Sequence, residues 1–222
     1  TREEEEMKKD CVVIFDLDGT LLNTDELIKR SFEYVFKRYR PDYTLSEEEY
    51  LSFLGPKLRD SFARYFPEEM LDELVDCYRD YNHVHHEDFV TVYPSVIETL
   101  VYLNKQEYPL AVLTTKFYEA ALIGLDLFDM TKYFDMIIGS NQIEKGKPDP
   151  LGIHLIMDKV NCHKAVMIGD NDTDILTGKN ARVYTVGVKW TPKGTKEMEK
   201  LNPDLMVDQM GEIIQFIERI DE

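Results

Sequence analysis

At 222 residues the chain exceeds a typical domain of about 100–150 residues, so one domain with a sizeable insertion, or two small domains, is expected. With 43% hydrophobic and 11% aromatic residues it can build a core, which excludes disorder over most of its length. Lys and Arg total 26 against 43 Asp and Glu, and the resulting net charge of −17 repels polyphosphate backbones and anionic bilayers; no nucleic-acid or membrane-surface partner is expected.

Residues 1–10 carry Glu3-Glu4-Glu5-Glu6 and then Met7-Lys8-Lys9, a charge run expected to be a solvated tail, with Met7 a candidate natural start. This opening is charged rather than apolar, and no apolar run approaches the roughly 18 residues of a membrane span, so a soluble, cytoplasmic protein is expected. Cys11, Cys77 and Cys162 are odd in number, widely spaced and without a CxxC pair, which agrees with a reducing compartment. Cys11-Val12-Val13-Ile14-Phe15 is a continuous apolar run of strand length, the pattern of a strand buried on both faces.

Residues 23–90 offer no strand pattern. Leu27, Ile28, Phe32, Val35, Phe36 and Tyr39 recur at helical spacing, as do Met70, Leu71, Leu74, Val75 and Tyr78, and Ser46 with Glu49 forms a capping box between them. An all-helical insertion over 23–90 is therefore expected, within a core of residues 1–22 and 91–222. Beyond it, Ser95 with Glu98 suggests a second capping box ahead of Val96, Leu100 and Leu103. Apolar strand-length runs follow at 110–113, 136–138, 165–168 and 183–186, and Met210, Ile213, Ile214, Ile217 and Ile220 close the chain at helical spacing. This alternation predicts an α/β fold, a doubly wound parallel sheet with chemistry at the carboxyl ends of the strands.

Polar residues with chemical potential stand at those ends. Asp16 and Asp18, two apart, point to one side of an extended chain, and Gly19 lets the backbone turn. Paired like charges are costly unless a cation joins them or one is protonated; the plain alternative is a polar strand end opening a loop. Thr114-Thr115-Lys116 follows the 110–113 run, and the Thr114 hydroxyl could donate to a phosphoryl oxygen or merely cap a helix. In Gly146-Lys147-Pro148-Asp149-Pro150, Asp149 and Pro150 read as N-cap and first helical position, holding Lys147 at a helix mouth; alternatively Lys147 is a surface lysine. Asp170, Asp172 and Asp174 follow the 165–168 run, dense enough for a hard cation, or simply helix-start acids.

The ordered set Asp-x-Asp-Gly-Thr, Thr-Thr-Lys, Gly-Lys-Pro-Asp-Pro and Gly-Asp-x-x-x-Asp resembles the haloacid dehalogenase superfamily of phosphohydrolases from Cys11 onward. The resemblance implies a doubly wound, Rossmann-like core with a helical cap inserted after the first motif. It implies Asp16 as the nucleophile that becomes an aspartyl-phosphate and Asp18 as general acid and then base, with Thr114 and Lys147 holding phosphoryl oxygens. It further implies Mg²⁺ on the Asp16 carboxylate, the Asp18 carbonyl and Asp170, supported by Asp174 from the outer shell, with Asn171 and Asp172 in the same loop. Dehalogenating members lack the second aspartate, so Asp18 argues for a phosphate substrate.

Specificity is expected from the helical insertion, where Gly55-Pro56-Lys57-Leu58-Arg59 presents two cations; solvated helix-start charges are the alternative. A small phosphorylated substrate held by Thr115, Lys57 and Arg59 is expected. Residues 78–86 and 187–194 are similar to the bacterial inorganic pyrophosphatases of the superfamily, while phosphoglycolate phosphatases share most of the pattern. A sugar phosphomutase and a non-catalytic regulatory protein are the further alternatives. His83, His85 and His86 lie close together, but a structural zinc site needs about four ligands and no cysteine is near.

Overall fold

Five buried residues, Cys11–Phe15, form β1, the central strand of a computed structural model that describes residues 9–222. The expected start at Met7 and most of the expected tail lie outside the described residues. Lys9 and Asp10, assigned to that tail from sequence, are instead tied to the fold: Lys9 pairs with Asp221 at 3.3 Å, and the Asp10 carboxylate accepts from the His163 N–H at 2.8 Å.

After β1 the chain runs through β2 (Leu22–Asn23), α1 (Asp25–Tyr39), α2 (Glu47–Ser52), α3 (Leu58–Ala63), α4 (Leu71–Val84), α5 (His86–Phe89) and β3 (Thr91–Val92). It continues with α6 (Val96–Lys105), β4 (Leu110–Leu113), α7 (Tyr118–Leu127), β5 (Met136–Ile138), α8 (Leu151–Val160) and β6 (Lys164–Gly169). The last elements are α9 (Asp172–Asn180), β7 (Tyr184–Val188), α10 (Lys196–Lys200), β8 (Leu205–Val207) and α11 (Ile213–Asp221). No helix of the described residues is long and apolar enough to cross a membrane.

Six strands form one parallel sheet in the order β5-β4-β1-β6-β7-β8. The order reverses between β1 and β6, the position at which doubly wound sheets open a crevice beyond their carboxyl ends. Alternate residues of β1 serve opposite faces. Cys11, Val13 and Phe15 pack with Leu100 of α6, Leu125 of α7 and Ile217 of α11, while Val12 and Ile14 pack with Ile153 and Ile156 of α8. Burial on both faces is why β1, β4 and β6 read as unbroken apolar runs.

A separate apolar cluster lies between β2 and β3. Phe32 is fully buried at its centre, stacked on Phe53 with ring centroids 4.0 Å apart and bordered by Phe62 and Tyr78 at 5.0 Å each. The two chain crossings that join this helical unit pair as an antiparallel ribbon, Leu22 opposite Val92 and Asn23 opposite Thr91.

The expected capping box at α2 is present: the Glu49 N–H donates to Ser46 Oγ at 3.2 Å, and the Ser46 N–H donates to Glu49 Oε2 at 2.7 Å. The expected box at Ser95 is not. Ser95 stands at φ 61°, and its side chain makes no cap bond to α6, because the box needs an extended cap residue to aim its hydroxyl at the first turn. Its Oγ accepts from the Gly211 N–H at 3.4 Å instead. Pro150 occupies the N-cap rather than the first helical position, and Asp149 caps α8 from one residue earlier by accepting from the Leu151 N–H at 2.9 Å. β7 is displaced by one residue from the expected 183, and β8 is a strand that the apolar pattern did not disclose.

Candidate active site

The register holds the carboxyl ends of β4, β1 and β6 nearly level, with Phe15 opposite both Val112 and Ile168. The residues just past these ends therefore converge. Asp16 extends the ladder by one bond, its N–H donating to the Ile168 carbonyl at 2.9 Å. The chain then turns at Gly19, φ 83°, where a β-carbon would stand 2.3 Å from an Asp170 carboxylate oxygen; only glycine lets the loop lie against that group. Trp190, from the stretch after β7, donates its indole N–H to the Gly19 carbonyl at 3.0 Å and pins the turn.

Asp16, Asp170 and Asp174 are all buried, and each offers an oxygen within 4.8 Å of the others. The Lys147 ammonium enters this group, donating to Asp16 at 2.8 Å and to Asp174 at 2.6 Å. Its side chain is 3% exposed, against 9% and 2% for its two partners. One cation does not balance three carboxylates. Burial, then repulsion from Asp174, pushes the Asp16 carboxyl up to about 6 although Lys147 pulls the other way. Burial with the charges of Asp16 and Asp174 holds Asp170 well above the ordinary carboxylate range. Burial opposes the Lys147 charge, yet the carboxylates of Asp16 and Asp174 keep that ammonium above its ordinary pKa.

Buried carboxylates left short of positive charge, all oxygen donors, fit a hard divalent cation. Asp174 has both oxygens engaged, one by Lys147 and the other by the Asn171 N–H at 3.1 Å, which suits a supporting position behind Asp16 and Asp170. Thr20 and the Asn171 side chain donate to Asp170 Oδ1 at 3.4 and 3.1 Å.

Asp18 stands apart from that cluster, 3.0 Å from the Lys116 ammonium. The buried Thr114 hydroxyl accepts from the Lys116 N–H at 3.1 Å, which keeps its own O–H for an acceptor in the cavity. A cavity of about 910 Å³ brings Asp16, Asp18, Thr114, Thr115 and Lys147 together with Lys57 and Arg59 of the helical unit. Thr115 donates its hydroxyl to the Gly55 carbonyl at 2.9 Å, a bond between sheet and helical unit. Arg59 reaches the cavity wall, but its guanidinium is paired with Glu68 and Asp72 of its own unit. Asp172, the third acid expected in the loop, is exposed on the first turn of α9.

Three polar residues with defined places at this site had no role from sequence: Lys116, Asn171 and Lys193. Lys193 donates to the Leu54 carbonyl at 2.7 Å and to Asn171 Oδ1. Each belongs to a stretch whose pattern stood out in the sequence, but only the folded chain supplies their partners. His85 is bonded to Asp88 at 2.8 Å, and the buried His86 to the Asn82 carbonyl at 2.8 Å. Among the described residues, only Asp16, Asp170 and Asp174 form a group of three metal-ligating side chains.

Residues 13–188 match the haloacid dehalogenase-like hydrolase family. A pyrophosphatase PpaX of Listeria monocytogenes is 38% identical over 211 residues, covering 94% of this chain and 97% of its own. A pyrophosphatase PpaX of Bacillus pumilus is 38% identical over 207 residues, with coverage of 92% and 95%. Among solved structures, a haloacid dehalogenase-like family hydrolase from Streptococcus pneumoniae superposes with a TM-score of 0.82 at 25% identity, covering 92% of this chain and 97% of its own.

Proposed function

This chain belongs to the haloacid dehalogenase-like hydrolases, and from that premise we propose that it cleaves inorganic pyrophosphate in two steps through Asp16, with Mg²⁺ as its cofactor. The observation that carries the reading is the buried Asp16–Lys147–Asp174 arrangement in the wall of a cavity that Asp18 and Thr114 also line. Pyrophosphate is favoured over other phosphates because relatives of nearly full coverage at 38% identity are named pyrophosphatases.

An Asp16 carboxylate oxygen forms the bond to phosphorus while the bridging P–O bond breaks and its electron pair leaves with the second phosphate. Asp18 supplies the proton that this oxygen takes up. In the second step Asp18 takes a proton from water as the water oxygen bonds to phosphorus, and the bond to Asp16 breaks. Lys147 fixes the direction of the attacking carboxylate, and the Thr114 O–H donates to a phosphoryl oxygen as charge develops there. The Asp16 and Asp170 carboxylates with the Asp18 carbonyl would hold Mg²⁺, Asp174 supporting them; the ion supplies positive charge against which an anionic nucleophile can approach an anionic phosphoryl group. Residues 23–90 act as a cap that closes over the cavity through Lys57 and its neighbours. Water is excluded from the first step when this unit approaches the sheet.

Phosphate release from pyrophosphate, phosphoglycolate, several sugar phosphates and an aryl phosphate, each with Mg²⁺ and with a chelator, tests this reading. The highest kcat/KM is expected on pyrophosphate, with release falling to background when the metal is removed. A higher kcat/KM on any monoester would replace pyrophosphate as substrate. The role of Asp18 has its own signature. Phosphate is a weaker base than an alkoxide and needs less protonation on leaving, so Asp18→Asn should slow alkyl phosphate cleavage by about 10²–10⁴ and pyrophosphate cleavage by less. Equal losses in the chemical step for both substrates would remove Asp18 from leaving-group protonation.

A further inference from the structure

Six cationic side chains line the cavity, and they differ in what already neutralises them. Lys147 is held by Asp16 and Asp174, Lys116 by Asp18, and Arg59 by Glu68 and Asp72. Arg79 lies over the Phe117 ring, 3.4 Å from its centroid. Lys57, Arg79 and Lys193 have no ion pair among the described residues, and of these Lys193 is the one whose ammonium is anchored by two neutral acceptors, the Leu54 carbonyl and Asn171 Oδ1. An ammonium has three N–H donors, so two neutral bonds leave one donor and a charge that no hydrogen-bonded carboxylate neutralises, although it also acts on Asp25 and Asp170 nearby.

The position of this lysine adds to the argument. It is carried by the stretch after β7, on the sheet side, and its acceptor Leu54 belongs to the helical unit. Asn171, its other acceptor, also donates to Asp170 at 3.1 Å, which sets Lys193 one residue away from the carboxylate cluster. Gly55 lies so close to Asn171 that a β-carbon there would stand 2.8 Å from its amide, so the helical unit and the sheet meet at this point. Thr114, which addresses the transferred phosphoryl, and Lys147, which orients the Asp16 nucleophile, come from the other loops.

We propose that Lys193 binds the second phosphoryl group of a diphosphate substrate, the one that leaves, and that its bond to the Leu54 carbonyl ties occupancy there to the position of the helical unit. This rests on the pyrophosphate reading above. A dianionic leaving phosphate needs a cation that is not already paired with a carboxylate, and Lys193 meets that need. A monoester with an uncharged leaving group has nothing to place there.

Calorimetric binding of methylenediphosphonate and of methylphosphonate to the wild-type enzyme and to Lys193→Gln, in Mg²⁺, tests the assignment. The variant should weaken diphosphonate binding about tenfold or more and methylphosphonate binding less than about threefold, with Lys193→Arg recovering part of the loss. In steady state the same change should raise KM for pyrophosphate more than it lowers kcat. Equal weakening of both phosphonates, no weakening of the diphosphonate, or a wild type that binds the two alike would overturn it. Failure of the parent reading looks different: the wild type would bind the diphosphonate through Lys193 yet release no phosphate from pyrophosphate.

Discussion

Asp16→Asn is expected to lower kcat for phosphate release by about 10⁴ or more while leaving the fold intact, because no other carboxylate can take over its attack. Asp18 is the other acid on the cavity wall near it, but its carboxylate is turned to Lys116 at 3.0 Å. Asp170 and Asp174 are buried, and Asp174 has both oxygens bonded. An amide at position 16 keeps the size of the side chain and removes one of three crowded carboxylates. In metal-free buffer the variant should therefore melt no lower than the wild type, since burial and Asp174 already work against the charged form of Asp16. Initial rates with pyrophosphate and thermal unfolding on the same preparation check both parts. Residual turnover above about one hundredth of wild type would point to a different nucleophile.

Lys147→Met carries the largest expected effect on stability. The methylenes are replaced by a side chain of similar length, so the change removes little more than the ammonium. What remains is three buried carboxylates with no cation among them, and breaking a buried pair by taking away one partner costs about 3–5 kcal/mol. The sign with pH follows from the shifts. Carboxyls whose folded pKa is raised, as for Asp16 and Asp170, destabilise the fold increasingly as pH rises through the unfolded value toward the folded one. Removing Lys147 takes away the charge that holds the Asp16 carboxyl down, so the variant's deficit should shrink on acidification toward pH 4 and grow toward neutrality. Urea unfolding across that range, without metal, measures it. A deficit that is flat with pH would mean the loss comes from packing and not from charge. Added Mg²⁺ should raise the midpoint of the variant more than that of the wild type, and turnover should be lost in either condition.

These two residues also illustrate which parts of the site were open to sequence reasoning. Asp16 and Lys147 stand in short runs whose chemistry is local: an acid at the end of an apolar strand, a lysine before a proline. That Lys147 bonds Asp16 across 131 positions is a property of the sheet order, in which only β4 separates β5 from β1, so the chain between β5 and α8 reaches the β1 end. Arg59 shows the reverse case. Its place beside a Gly-Pro turn suggested a cation free for substrate, and the folded helical unit pairs it with Glu68 and Asp72.

The apolar runs of β1, β4, β5 and β6, the helical character of the unit between β2 and β3, and the Ser46–Glu49 box were all legible without a structure. Each depends on neighbours within a turn or a strand, and the side chains themselves declare it. β8 and the β2–β3 ribbon were not legible, because strands of three and two residues carry too little pattern and exist only through their partners. Ser95 lost its expected cap for the same kind of reason: a left-handed backbone there aims its hydroxyl at Gly211. The tertiary structure alone decided that Lys116 meets Asp18 over 98 positions and that Lys193 meets Leu54 over 139, since a charge finds its partner through the path of the whole chain rather than through its own sequence neighbours.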